Sequence, residues 1–407
     1  MWMNGKTDTF CPWPFSSIAP KSFDKTGKLT AFWPCCMMGN NSNDPNVLKI
    51  KEDVSNLNPE EMFYHPRMQE LRNNLKNGIR DNACSVCWNM EDKGITSFRQ
   101  DSNISKEIVS DIINNPKLQV IDTHVNNSCN LQCRMCDPSA SSQLKKDTNY
   151  FIKHNLQYSV IEALDNRWST SGKGAWRMED VKQWQWIKEN TDKFKILKLS
   201  GGEPFYNKHV LEFLDFAVKN GNSKDITLEF HTNGTLFDNN LLDILENFQT
   251  NLNFSIDGYG KVYEYIRYPM TWSQLDESIN RYIDRCKPEF VHISFIPMIY
   301  NIFNIDKFAD WCYNLNTEVI IHWAEVYPFN RGIVLKHLPT EILEKAKTIA
   351  ENIKIDNKKL VNIIEDALKN NAENKQKALL EISLFDKSRD QDFRNYLDQD
   401  VIKWLTN

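Results

Sequence analysis

Six β-rich runs alternate with helix-length amphipathic segments from residue 117 onward, and this alternation limits the folds open to the chain. Strands separated by helices predict parallel βαβ units, arranged as an open sheet or an incomplete barrel. We predict an α/β fold built on a partial (β/α)6 TIM-like barrel, with ligands at the carboxyl ends of its strands. The strand candidates are LQVIDTHV, KILKLS, DITLEFHT, NLNFSID, FVHISFIPMIY and EVIIHWAEV.

The segments on either side of these strands have a different character. The first part of the chain is turn-rich and holds five of the ten cysteines, whereas the sequence after residue 335 reads as charged amphipathic helices. We predict a cysteine-rich module at residues 1–112, the barrel at 113–332 and a helical C-terminal extension at 333–407 that packs on the barrel.

Composition argues against several classes of partner. Lys plus Arg total 49 against 54 Asp plus Glu, so the net charge of −5 gives no field that attracts nucleic acid or an anionic membrane. The sequence shows neither a leader pattern nor an apolar run of ~18 residues. We therefore expect a cytoplasmic protein without nucleic-acid or membrane partners. Since the cytosol keeps thiols reduced, clustered cysteines are expected to bind metal or act chemically.

Three cysteines lie close together in CNLQCRMC, directly after the first barrel strand candidate. Cys129, Cys133 and Cys136 can surround one [4Fe–4S] cluster and leave one iron free for a small chelating ligand. A zinc site would need a fourth ligand, for which Asp137 or His124 is available, and a redox-active dithiol pair is a further alternative. The C-x₃-C-x₂-C spacing favours iron–sulfur over zinc.

A second set of cysteines lies in FCPWPF, WPCCMM and NACSVCW. Cys11, Cys84 and Cys87, together with Cys35 or Cys36, provide four thiolate ligands. Four thiolates complete either a structural zinc site or a fully ligated iron–sulfur cluster. By contrast, Cys286 and Cys312 stand alone and are expected to be small buried hydrophobic residues.

The three-cysteine loop and four later phrases together resemble a known family. CNLQCRMC after a strand resembles the signature of the radical SAM superfamily, and LSGGEPF, HTNGTLF, FSIDGYG and YEYIRYP follow in that family's order. The resemblance covers roughly residues 117–330, about half of the chain. It implies a radical SAM enzyme whose [4Fe–4S] cluster is held by Cys129, Cys133 and Cys136 and binds S-adenosylmethionine (SAM).

The same resemblance implies a role for each later phrase. Glycine in the GGE phrase lets the backbone approach the ligand closely. The implied contacts are Gly201, Gly202 and Glu203 for the amino group of SAM, Asn233 near its ribose, Ser255 and Asp257 near ligand or substrate, and Arg267 at its carboxylate. Asp257 joins the three cysteines as a predicted catalytic residue.

The family's chemistry follows from these cofactors. One electron from the reduced cluster would cleave SAM to methionine and a 5′-deoxyadenosyl radical, which abstracts hydrogen from a peptide, a protein or a small metabolite. This chemistry calls for an electron donor such as flavodoxin or ferredoxin. The alternative function is a non-catalytic iron–sulfur or zinc protein that senses redox state or binds a partner. Such a protein has no need of the GGE phrase.

The N-terminal cysteines resemble the SPASM and twitch auxiliary-cluster modules of other radical SAM enzymes. The resemblance consists of Cys11, a hairpin with Gly27, the Pro34–Cys35 phrase and then CSVCWNMEDKG. It implies a second [4Fe–4S] cluster on Cys11, Cys35, Cys84 and Cys87, with Cys36 as the alternative to Cys35. The module precedes the barrel here, whereas it follows the barrel in most relatives.

Overall fold

The fold is built on a single sheet, which contains strands from the N-terminal region and strands from the predicted barrel. The computed structural model describes residues 9–23, 29–35, 37–38, 53–92, 94, 97–100, 112–138, 140–157, 159–160, 164, 182–326 and 331–407. Its strands are β1 Ser17–Phe23, β2 Leu29–Trp33, β3 Val120–His124, β4 Ile196–Ser200, β5 Thr227–Thr232, β6 Gln249–Ser255, β7 Phe290–Phe295 and β8 Glu318–Trp323. They form an eight-stranded sheet in the order β2-β1-β3-β4-β5-β6-β7-β8.

Helices follow most of the strands and also form the C-terminal end of the chain. The described α-helices are α1 Trp13–Ser16, α2 Pro59–Phe63, α3 Pro66–Lys76, α4 Ser85–Glu91, α5 Lys145–Lys153, α6 Lys182–Glu189, α7 Lys208–Lys219, α8 Asn239–Leu245, α9 Lys261–Ile266, α10 Trp272–Cys286, α11 Ile305–Tyr313, α12 Thr340–Glu351, α13 Lys358–Lys369, α14 Lys375–Arg389 and α15 Gln399–Thr406. Within the described ranges, none of these helices has the length and hydrophobicity needed to cross a bilayer.

The predicted parallel α/β architecture is confirmed, but the sheet has eight strands where six were predicted. Strands β3 to β8 pair in parallel with their sequence neighbours. β1 adds to the β3 edge in parallel through Ser17 opposite Val120 and Ile18 opposite Ile121, and β2 pairs antiparallel with β1. β1 therefore covers the backbone groups that β3 would otherwise expose at an edge. The curvature of a partial barrel stays a prediction.

The two faces of the sheet differ in polarity because strand residues alternate between them. Phe230, Phe254 and Phe295 are buried and contact aromatic side chains that follow the strands or lie on the helices. The alternate positions carry polar side chains, including Glu229 on β5 and His292 on β7. One face thus packs on the helices, and the other presents polar groups.

Helix α10 shows how the sequence builds the helical layer. Thr271 caps its first turn in a capping box with Gln274. Leu275, Ile279 and Tyr282 then recur at helical spacing and are buried.

The C-terminal helices belong to the same core. One connected set of buried residues includes Phe10, Leu197, Phe254, Ile342 and Leu405. The N-terminal, central and C-terminal segments therefore share apolar contacts, so the site described next is supported by all three.

Candidate functional site

Three thiols converge in the loop that follows β3. Cys129 and Cys133 are buried, and Cys136 is half-buried. Burial, with the nearby Cys133, raises the pKa of Cys129 to about 12. A hydrogen bond between Cys133 and Cys136 lowers the pKa of the first thiol and raises that of the second. The structure brings together the three cysteines that the sequence singled out.

The backbone of this loop is held by the last residue of α9 and the segment that follows it. The main-chain N–H of Gln132 donates to the Tyr268 carbonyl at 2.7 Å, and that of Arg134 donates to the Ile266 carbonyl at 2.9 Å. The peptide groups beside Cys133 are therefore fixed by residues far away in the sequence.

Gly201 and Gly202, just after β4, lie against the start of the cysteine loop. A Cβ atom at Gly202 would stand 2.1 Å from the Ser128 carbonyl oxygen, and one at Gly201 would stand 2.4 Å from that of Asn126. The N–H groups of Gly202 and Glu203 donate to these same two carbonyls, Asn126 and Ser128, each at 2.7 Å. Glycine was expected because of a close ligand. In the structure, the backbone of the cysteine loop is the group that leaves no room for a side chain at these two positions.

Glu203 is buried, and its carboxylate joins the ends of two strands. One oxygen accepts from the Phe205 N–H at 3.1 Å and the Thr232 hydroxyl at 2.8 Å, and the other accepts from the Asn233 N–H at 2.7 Å. Burial raises the pKa of Glu203 to about 7 in spite of these donors. The carboxylate thus sits at the carboxyl ends of β4 and β5 in a fixed orientation.

Asn233 connects the TNG turn to the cysteine loop. Its side-chain amide lies 3.8 Å from Cys129 Sγ and donates to Asn130 Oδ1 at 2.8 Å. Asn130 in turn donates to the Thr235 hydroxyl at 2.7 Å. No motif predicts a role for Asn130 or Thr235, although Asn130 lies in CNLQCRMC and Thr235 in HTNGTLF.

Arg267 and Asp257 form a buried ion pair beside the cysteines. Arg267 Nε donates to Asp257 Oδ2 at 2.7 Å, and its Nη1 lies 3.6 Å from Cys133 Sγ. The other oxygen of Asp257 accepts from the Ile296 N–H at 2.7 Å. Burial opposes the charge of both groups, yet Asp257 and Cys133 raise the pKa of Arg267. Ser255, the last residue of β6, is half-buried and lies two positions before this pair.

The N-terminal cysteines also meet at one place. Cys11, Cys35, Cys84 and Cys87 line a single small cavity. Burial is the main cause that raises the pKa of Cys84, and the neighbouring thiols of Cys11, Cys35 and Cys87 raise it further. Cys36 lies outside the described residues, so the alternative ligand stays a prediction.

Cys84 and Cys87 are placed by a short turn that leads into α4. Asp81 caps this turn by accepting from the Ala83 N–H at 2.9 Å, and Arg67 forms an ion pair with Asp81 at 2.8 Å. Across the described part of the chain, no three His, Cys, Asp or Glu side chains stand close enough to hold a single metal ion.

Several residues without a sequence motif also contact the three-cysteine loop. Arg331 donates to the main-chain carbonyls of Arg134 at 2.6 Å and Met135 at 3.2 Å. Asp147 accepts from Gln132 Nε2 at 3.1 Å. No local pattern identifies Arg331 or Asp147. Arg331 lies far along the chain from the loop that it contacts, and Asp147 lies beyond the CNLQCRMC phrase.

Fold and site together define an α/β protein with a thiolate-rich site at the carboxyl ends of parallel strands. The thiols, the buried carboxylate and the Arg267–Asp257 pair follow β3, β4 and β6. Residues 123–312 match the model of the Radical SAM superfamily. The matched segment contains the three cysteines, Glu203 and the Arg267–Asp257 pair. The family implies a [4Fe–4S] cluster and SAM as cofactors.

Several solved structures resemble the chain at low identity. Native anSMEcpe with bound AdoMet is 14% identical, with a TM-score of 0.32, and the similarity covers 51% of this chain and 51% of that one. Streptococcus suis SuiB bound to precursor peptide SuiA is 13% identical, with a TM-score of 0.36 and coverage of 77% and 69%.

A third structure, TYW1 with a lysine-pyruvate adduct bound, is 16% identical, with a TM-score of 0.29 and coverage of 58% and 72%. The chain thus spans about half of the anSMEcpe chain. No curated protein matches the sequence.

Proposed function

We propose that this enzyme reductively cleaves SAM and uses the resulting radical to abstract hydrogen from a substrate. The observation that carries the proposal is the convergence of Cys129, Cys133 and Cys136 at the carboxyl end of β3, beside Glu203 and Arg267. When bound there, the cluster and SAM supply one-electron cleavage of a carbon–sulfur bond, which yields methionine and a 5′-deoxyadenosyl radical.

The donor set fits a thiolate-bound cluster. The Leu131 N–H donates to Cys129 Sγ at 3.4 Å, and the Asn233 amide also points to that sulfur. Arg267 places a positive charge 3.6 Å from Cys133 Sγ. Donors and cations stabilise negative charge on sulfur, as thiolate ligands require. We assign the three cysteines as the cluster ligands.

The remaining residues of the site are assigned to SAM. Glu203 supplies a carboxylate of fixed orientation for the amino group, together with Gly201 and Gly202, and Asn233 borders the ribose. Arg267 is assigned to the SAM carboxylate, for which a guanidinium fork is suited. Its Nε is held by Asp257, so we assign Asp257 a positioning role through Arg267.

The polar face of the sheet supports a polar substrate. Lys198 on β4 forms an ion pair with Glu229 on β5. Farther along the sheet, the Ser294 hydroxyl donates to Asn253 at 2.9 Å. These polar groups occupy the face opposite the helices, where a peptide, a protein segment or a small metabolite would find hydrogen-bond partners. Ser255 lies on the same face at the end of β6 and is assigned to ligand or substrate.

The N-terminal cavity is assigned to an auxiliary [4Fe–4S] cluster of the SPASM or twitch kind. Cys11, Cys35, Cys84 and Cys87 provide four thiolates, so no iron is left open for a substrate. Electron transfer or structural stapling suits such a closed cluster, and zinc is the competing occupant.

Further features of the enzyme are proposed from its sequence. The proposal includes an electron donor such as flavodoxin or ferredoxin, a cytoplasmic location, and modules at residues 1–112, 113–332 and 333–407 around a partial barrel. Each of these statements rests on the sequence pattern.

Anaerobic reconstitution followed by incubation with SAM and dithionite tests the proposed reaction. The protein should form 5′-deoxyadenosine and methionine in equal amounts. Absence of 5′-deoxyadenosine from protein with an intact cluster on the three cysteines would support the non-catalytic alternative instead.

Iron counting tests the auxiliary cluster. In a Cys129→Ala, Cys133→Ala and Cys136→Ala variant, about four irons should remain per chain. A remaining zinc ion in place of iron would reject the auxiliary cluster.

A further inference from the structure

Helix α14, Lys375–Arg389, presents charged side chains to the protein interior. Glu381 is fully buried, and Asp386 and Arg389 are 8% and 7% exposed. All three lie outside the segment that matches the Radical SAM superfamily model, which ends at residue 312. Buried charges are unfavourable unless they are paired and hydrogen-bonded. Each of these three residues has a partner that leads to the cysteine loop.

The first connection runs from Glu381 through Arg331. Glu381 Oε1 accepts from Arg331 Nε at 2.9 Å, and its Oε2 accepts from the Gly332 N–H at 2.7 Å. Arg331, itself fully buried, donates to the carbonyls of Arg134 and Met135. These are the two residues between Cys133 and Cys136, so the connection fixes the peptide groups that separate two cluster ligands.

The second connection runs from Asp386 to the side chain of Arg134. Arg134 Nη2 donates to Asp386 Oδ1 at 2.5 Å, and its guanidinium carbon lies 3.5 Å from the centre of the Tyr265 ring. The Tyr265 hydroxyl donates to the same Asp386 oxygen at 2.8 Å. Arg134 is fully buried, and Asp386 is its anionic partner beside two neutral acceptors, the Tyr265 carbonyl and Gln391 Oε1, each at 2.9 Å.

The third connection runs from Arg389 through Asp147. Arg389 Nη2 donates to Asp147 Oδ2 at 2.9 Å, and the Ser388 hydroxyl donates to the other oxygen at 2.5 Å. Asp147 also accepts from Gln132 Nε2 at 3.1 Å, and Gln132 directly precedes Cys133. The chain of contacts therefore ends next to the central cysteine of the loop.

We propose that α14 positions the cysteine loop, with Glu381, Asp386 and Arg389 as positioning residues for the cluster ligands. The inference deepens the proposed function, because it rests on Cys129, Cys133 and Cys136 holding the SAM-cleaving cluster. Apolar residues could cover the loop as well, and replacing a buried ion pair by apolar groups often leaves stability unchanged. Directional ionic contacts instead fix orientation, which is the role of outer-shell partners at metal sites.

The test compares two basic-to-methionine substitutions in the last turn of α14. Arg389→Met removes the guanidinium contacts of the third connection and leaves the Ser388 hydroxyl bond to Asp147. Lys387→Met changes an exposed residue two positions earlier and serves as the control. Hydrogen exchange of the metal-free proteins, followed by mass spectrometry, compares a peptide that spans the cysteine loop with one from α11. In Arg389→Met the loop amides should exchange about tenfold faster and those of α11 at the wild-type rate.

The reconstituted proteins supply a second readout. In Arg389→Met, a chelator should remove iron from the SAM-responsive cluster about tenfold faster, and the electron paramagnetic resonance change on SAM addition should be reduced. Arg389→Lys, which retains a donor for Asp147, should restore part of both properties. Lys387→Met should behave as wild type.

Wild-type exchange, iron retention and SAM response in a folded Arg389→Met protein would overturn the positioning role. If Arg389→Met does not fold, Glu381→Gln replaces it, because glutamine keeps one acceptor for Arg331 and loses the charge. A wild-type protein that holds no SAM-responsive cluster would instead refute the proposed function.

Discussion

Glu203, Asp257 and Arg267 are buried charged residues that differ in how their charge is compensated. Asp257 and Arg267 neutralise each other, with two atoms 2.5 Å apart. Glu203 accepts instead from two N–H groups and a hydroxyl, all neutral. An ion pair retains its charge on burial more readily than a carboxylate held by neutral donors. The two sets of residues should therefore respond differently to pH and to substitution.

The titration of Glu203 should appear in the stability of the metal-free protein. Its folded-state pKa of about 7 exceeds the ordinary value of 4.5, so between these values the folded protein binds a proton that the unfolded chain has lost. Glu203 therefore contributes most at or below pH 4.5, and its contribution declines by up to ~3 kcal/mol as the pH rises to 7.

Urea unfolding at a series of pH values measures this slope. Glu203→Gln should remove the part of the slope that Glu203 contributes. The same slope in wild type and variant would show that Glu203 does not titrate in this range.

Removing one partner of the Arg267–Asp257 pair should destabilise the protein more than removing both charges. Arg267→Gln leaves Asp257 buried without its counter-ion and should lower the free energy of unfolding by ~3–5 kcal/mol. Combining it with Asp257→Asn should recover most of this loss, while SAM cleavage stays impaired because the guanidinium is absent. Denaturant unfolding and 5′-deoxyadenosine formation measure the two effects. Recovery of cleavage in the double variant would contradict the assignment of Arg267 to SAM.

Gly202 should tolerate no side chain. A Cβ atom there would meet the Ser128 carbonyl at 2.1 Å, so Gly202→Ala should displace the cysteine loop and abolish SAM cleavage. Gly221→Ala is the comparison, because a Cβ atom at Gly221 has open space around it although its φ of +76° is strained. Both variants should lose some stability, but cleavage should be lost in Gly202→Ala alone. Equal cleavage in the two variants would show that this contact does not set the loop.

At the level of elements, the sequence did not predict that β1 joins the parallel sheet. The resemblance implied only a hairpin with Gly27, which lies outside the described residues between β1 and β2. The β1 sequence SIAPKSF contains a proline and does not alternate between apolar and polar residues as a two-faced strand does. It is a strand because its first two residues extend the parallel sheet at β3 and its remainder pairs with β2. By contrast, the strands β3 to β8 were predicted, since each is a short β-rich run between helical segments.

The stability of the sheet should depend on β1. Ile18 is fully buried and lies opposite Ile121, so Ile18→Ala should lower the free energy of unfolding by ~2–5 kcal/mol. Ile79→Ala removes the same atoms from a side chain that is 53% exposed and should change stability by less than ~0.5 kcal/mol. Denaturant unfolding compares the two. A similar small loss in both would mean that β1 is not part of the folding core.

For the whole molecule, local sequence patterns predicted the residues of the candidate site better than they predicted the long-range contacts that hold those residues in place. The cysteine spacing, the GGE phrase and the Asn233 turn are short motifs, and the structure brings them to one edge of the sheet. The ion pairs that join Arg134, Arg331 and Asp147 to α14 span up to 252 residues of sequence between partners. A charged helix is normally expected to face water, so the burial of Glu381 could not be inferred from its segment.

The most direct measurement is 5′-deoxyadenosine formation by anaerobically reconstituted protein with SAM and dithionite. Wild-type protein and Cys312→Ala, which alters a buried thiol on α11 outside both cysteine sets, should produce it. Cys133→Ala should produce none. Equal formation by Cys133→Ala and wild type, or none by wild type with its three-cysteine cluster intact, would contradict the account.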